Sequence, residues 1–110
     1  MSKMQELDAL LSHVWMVRTF IKHSEELEDD PELSDVQRTL YDYMLALGTA
    51  WKEQDEAAYL KQAKKKLSKL RRATDDFAEL QPEVSTHMNF QMAVRSLEKA
   101  VSEVERILAD

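Results

Sequence analysis

Residues 82–109, PEVSTHMNFQMAVRSLEKAVSEVERILA, return an apolar side chain to one face of a helix turn after turn. His87, Phe90, Val94, Leu97, Val101, Val104 and Leu108 alternate spacings of three and four, the period of a helix that buries a single stripe. Pro82 suits a first helical position, where its missing N–H removes no bond. The stretch predicts a helix over 82–109, and one narrow apolar stripe requires other helices to cover it.

Three further stripes lie upstream. Ser2 and Gln5 form an S-x-x-Q capping box, and Leu7, Leu10, Val14, Val17, Ile21 and Ser24 follow on one face, widened by Leu11, Phe20 and Leu27. This predicts a first helix over 3–28, stopped by Pro31, because proline disfavours helical geometry at the residue before it. Asp30 can cap a second helix over 31–52, with Ser34 and Gln37 as a second capping box; its face is Leu33, Val36, Leu40, Tyr43, Leu47 and Ala50. Gly48, the only glycine, lies inside that stripe. Asp55 caps a third helix over 55–80, with Leu60, Ala63, Leu67, Leu70, Thr74 and Phe77 inward.

One glycine and two prolines in 110 residues leave few places to turn. Helices of about 20 to 26 residues joined by short connections must lie antiparallel to their neighbours. The expected fold is all-α, an antiparallel up-down-up-down four-helix bundle formed by one domain over 1–110, with coiled-coil-like packing along the stripes.

That threading gathers acidic residues at one end. Glu25, Glu26, Glu28, Asp29, Asp30, Glu32 and Asp35 surround the first proline junction; Asp75, Asp76, Glu79 and Glu83 surround the second. These are eleven of the 21 carboxylates, and those at helix C-termini oppose the macrodipole, so capping alone does not explain them. Ser24, Thr74, Glu83 and His87 interrupt the inward stripes near the same junctions and form a candidate polar-end site, with Glu83 and His87 four apart on the predicted last helix. The competing reading is a solvated bundle end, where polar residues cost little.

The third predicted helix is the opposite in charge. Lys61, Lys64, Lys65, Lys66, Lys69, Arg71 and Arg72 are seven of the 15 cations, a candidate basic patch in a chain of net charge −6. No aromatic residue for base stacking stands between Tyr59 and Phe77, which disfavours nucleic acid as the partner.

Catalytic and cofactor signatures are missing. With no cysteine there is no thiol nucleophile, disulfide or thiolate metal site. A single glycine excludes a glycine-rich phosphate loop, and no E-x-x-H motif supports a carboxylate-bridged di-metal bundle. None of His13, His23 and His87 is followed by the lysine and glycine of a phosphorelay histidine, and no nucleophilic triad assembles from the spacing. No catalytic, cofactor or metal residues are assigned. Trp15, Tyr41, Trp51 and Tyr59 flank the stripes and form a candidate interface, since Trp and Tyr are enriched at contact hot spots.

The expectation is a non-enzymatic cytoplasmic protein that acts through protein–protein interaction, most simply as a homo-oligomer, without cofactor or membrane. The alternatives are a nucleic-acid-associated helper using the basic helix, and a hydrolase or nuclease with a metal at the acidic end.

Overall fold

Local capping chemistry sets most of the helix starts. In the computed structural model, which describes all 110 residues, the Gln5 N–H donates to Ser2 Oγ at 3.1 Å and the Ser2 N–H donates to Gln5 Oε1 at 3.1 Å. This closed capping box begins α1, Lys3–Lys22. Asp30 Oδ1 accepts from the Leu33 N–H at 3.0 Å, Pro31 takes the first position, and α2 runs Pro31–Lys52 straight through Gly48. Asp55 Oδ1 accepts from the Ala58 N–H at 3.1 Å to begin α3, Glu56–Lys65. α4 follows at Leu67–Val84 and α5 at Met88–Ala109; the protein is all-helical, with no strand. No helix is long and apolar enough to cross a membrane.

Three boundaries differ from the sequence expectation, and each has a local cause. α1 ends at Lys22 instead of running to residue 28. The Ser24 hydroxyl donates to the Ile21 carbonyl at 2.7 Å, its backbone turns extended, and Glu25–Leu27 form a 3-10 turn. The carboxylates that follow would oppose the macrodipole of a longer helix.

The predicted third helix is two helices, broken at Lys66, so there are five α-helices where four were expected. At the break, the Tyr43 hydroxyl donates to the carbonyl of Ala63 at 2.9 Å, satisfying one of the acceptors that a helix end leaves open. The last helix does not begin at Pro82. Proline stands in the last turn of α4, where it has no N–H to give the Ala78 carbonyl; the helix ends two residues later at Val84, and Ser85 to His87 make the connection.

Cross-helix contacts fix the directions. Arg18 with Gln37 and Trp15 with Tyr41 run α1 against α2; His13 with Ser96 and Phe20 with Phe90 run α1 against α5. Trp51 with Tyr59 and Tyr43 with Ala63 run α3 against α2, and Arg71 meets Glu98 and Glu105 across α4 and α5. The first three pairs are antiparallel, and α4 and α5, joined by only Ser85 to His87, turn back on each other. The molecule measures 39 × 22 × 20 Å, one long helix by two helices across. Its inward stripes merge into one cluster of 24 buried residues, from Met4 and Leu7 on α1 to Ile107 and Leu108 on α5. Phe20 and Phe90, 4.9 Å apart edge to face, bring the end of α1 to the start of α5, so the two acidic junctions share one end of the molecule.

Candidate interaction surfaces

The acidic end does not join the four polar residues. Thr74 is buried, and its hydroxyl donates to the Leu70 carbonyl at 2.8 Å within its own helix. Ser24 is likewise spent on Ile21. Glu83 belongs to α4, whereas His87 is the N-cap of α5, its Nδ1 accepting from the Asn89 N–H at 3.0 Å. That role requires an unprotonated Nδ1. The expected pairing of Glu83 with His87 four apart on one helix is therefore corrected: they stand on different elements, because α4 continues through Pro82. No hydrogen bond or ion pair links any two of the four. No three His, Asp or Glu side chains group so as to hold a metal ion.

The four aromatic residues divide into two pairs with different surroundings. Trp51 and Tyr59 lie 6.1 Å apart, Tyr59 only 1% exposed and Trp51 packed on the core. Burial pushes the phenols of Tyr43 and Tyr59 well above the ordinary tyrosine range. Trp51 and Tyr59 thus hold α3 onto α2 and are not surface anchors. Trp15 and Tyr41 are also 6.1 Å apart, but Trp15 is 40% exposed.

Between Trp15 and Tyr41 lies Arg18, its guanidinium carbon 5.1 Å from the Trp15 ring centre and 4.5 Å from that of Tyr41. Both distances fall within cation–π range. Arg18 Nε donates to the side-chain oxygen of buried Gln37 at 3.0 Å, and the terminal guanidinium nitrogens make no bond within the chain. α1 supplies Trp15 and Arg18 one turn apart; α2 supplies Gln37 and Tyr41 one turn apart. Leu45 follows one turn beyond Tyr41, and Leu45 and Met16 are each 63% exposed. An arginine held by two aromatic rings and Gln37, with free donors, thus sits beside exposed Trp15, and exposed Leu45 lies one turn further along α2. Leu45, an apolar residue on the polar arc of α2, was the signal in the sequence; the positions of Arg18 and Gln37 depend on how α1 meets α2.

The basic patch is smaller than the sequence suggests. Arg71 turns onto α5, where Nη1 bonds Glu98 at 3.0 Å and Nε bonds Glu105 at 3.1 Å, while Asp75 accepts at 3.1 Å on its own helix. These bonds, Glu105 first, raise the arginine pKa further. Lys61, Lys64, Lys65, Lys66, Lys69 and Arg72 have no ion-pair partner within the chain. Lys69 and Arg72 stand on one rim of a groove of about 670 Å³ between α2 and α4, with Glu32 and Asp35 on the facing rim. Its apolar floor is Val36, Ala73 and Leu80.

No protein-family model, curated protein or solved structure matches this chain.

Proposed function

We propose that this chain is a non-enzymatic helical bundle that works by binding protein, with a second copy of itself as the first partner. In this reading α3 and α4 act as one rod broken at Lys66, which makes four antiparallel rods in up-down-up-down order. The observation that carries the functional reading is the cluster of partly exposed Trp15 with Arg18 and Tyr41, with exposed Leu45 one turn beyond Tyr41 on α2. Trp, Tyr and Arg are the residues that dominate binding energy at protein interfaces, and here all three meet at one surface. The aromatic rings and Gln37 hold Arg18 in place, so its free donors lose little conformational freedom on meeting a carboxylate.

Leu45→Glu tests the reading without touching the core, because Leu45 is exposed. Light scattering across a wide concentration range should show the wild type forming an oligomer. The variant should associate at least about tenfold more weakly, the effect of losing about 1.4 kcal/mol, with an unchanged circular dichroism spectrum. A wild type that stays monomeric throughout removes self-association, and an unaffected variant removes this face.

A further inference from the structure

α4 carries a charge sequence that reads as its own complement when reversed. Lys69, Arg72, Asp76, Glu79 and Glu83 follow at spacings of three and four along its outer face, preceded by Lys65 just before the break. Cations fill one half and carboxylates the other. All six are exposed, and none forms an ion pair or a side-chain hydrogen bond within the chain, although neighbouring Arg71 bonds to Glu98, Glu105 and Asp75. The stripe is thus charged, ordered and unengaged.

We infer that the outer face of α4 docks antiparallel against the same face of a second copy, about a two-fold axis at the level of Thr74. In that register Arg72 meets Asp76 of the other copy, Lys69 meets Glu79, and Lys65 meets Glu83, and symmetry repeats each pair. A foreign partner would need to bring the same charge order reversed, whereas an identical copy has it by symmetry. The α2 rim strengthens the match, since Glu32 and Asp35 line the carboxylate half of the groove, where the cations of the second copy arrive. Exposed ion pairs are individually weak, so they set orientation and register, and of the groove's apolar residues partly exposed Leu80 can add contact, Val36 and Ala73 being already buried. This interface shares with the aromatic face only the identity of the partner.

Sedimentation velocity on the full chain at low and high salt tests it with two variants, Lys69→Glu/Arg72→Glu and Asp76→Lys/Glu79→Lys. The wild type should associate at low salt and dissociate as salt screens the pairs. Each variant alone should associate at least about tenfold more weakly, because both Arg72–Asp76 and both Lys69–Glu79 attractions become repulsions and only the two Lys65–Glu83 pairs remain. An equimolar mixture should restore association, since the reversed positions of one variant then meet opposite charges on the other and the Lys65–Glu83 pairs are kept. Circular dichroism checks that these exposed replacements leave the fold intact.

The inference is overturned if the mixture stays monomeric or if the reversals leave the association unchanged. It is overturned in favour of a nucleic-acid surface if Lys69→Glu/Arg72→Glu abolishes salt-sensitive retention of RNA or DNA without changing the mass. Loss of association in Leu45→Glu alone assigns self-association to the aromatic face; loss in the charge variants alone assigns it to α4. A wild type monomeric at low salt overturns both.

Discussion

Asp8 and Arg71 are both partly buried charges, and they differ in what surrounds them. Arg71 spends its donors on Glu98, Glu105, Asp75 and Ser102, so its charge ties α4 to α5. Asp8 has no hydrogen-bond or ion-pair partner, and burial raises its pKa above the ordinary 3.8. A carboxyl with a raised folded-state value supports the fold below the unfolded value and loses that support as pH rises through the folded one. At neutral pH the ionised Asp8 is therefore a cost. Asp8→Asn should raise the melting temperature at pH 7, and the gain should vanish as pH falls below the ordinary aspartate range. Thermal unfolding of both proteins across that range checks this; a gain that persists in acid would mean that charge is not its cause. Residue type and helix position were legible for both, but the surroundings of Asp8 and the partners of Arg71 were not. In the sequence Asp8 is an unremarkable acidic position on a helix, and only packing leaves it partly buried.

Among the elements, α2 has a start and a face that were legible, because Asp30, Pro31 and the 3-4 stripe act within a few residues of one another, while nothing near Gly48 marked its end. It also contains an unused gain. Gly48 is exposed in the helix interior, and a Cβ placed there would meet no heavy atom within 4 Å. Glycine costs a helix interior about 0.5–1 kcal/mol relative to alanine. Gly48→Ala should stabilise the protein by roughly that amount, a rise of a few degrees in melting temperature, measured by thermal or urea unfolding. A decrease would show that this position needs glycine for more than space. The α4–α5 junction was read wrongly because Pro82 fits either the first turn of one helix or the last turn of another. The cap that decides is local after all: Ser85 Oγ accepts from the His87 N–H at 3.1 Å, and His87 caps Asn89 at 3.0 Å. The break at Lys66 had no such signal, with neither glycine nor proline nearby.

For the whole molecule, that break lets α3 lean inward, where it touches α1 and α5 as well as α2 and α4. Tyr59, buried to 1%, anchors it. Tyr59→Ala should cost about 3–5 kcal/mol, the range for removing a large buried aromatic side chain. Hydrogen exchange should then show the amides of α3 opening more than those of α5; a uniform loss would mean that α3 has no separate hold. By themselves the residues determined the all-helical class, the apolar faces and the charge order along α4. All of these follow from period, capping and connection length, which act between residues close in the chain. Tertiary structure alone decided that the third stripe breaks, that Arg71 leaves the basic patch and that Arg18 lies between Trp15 and Tyr41. It also left Ser24, Thr74, Glu83 and His87 unjoined. Each of these depends on which helix faces meet and at what rotation, and a side chain finds its partner only after distant segments have packed.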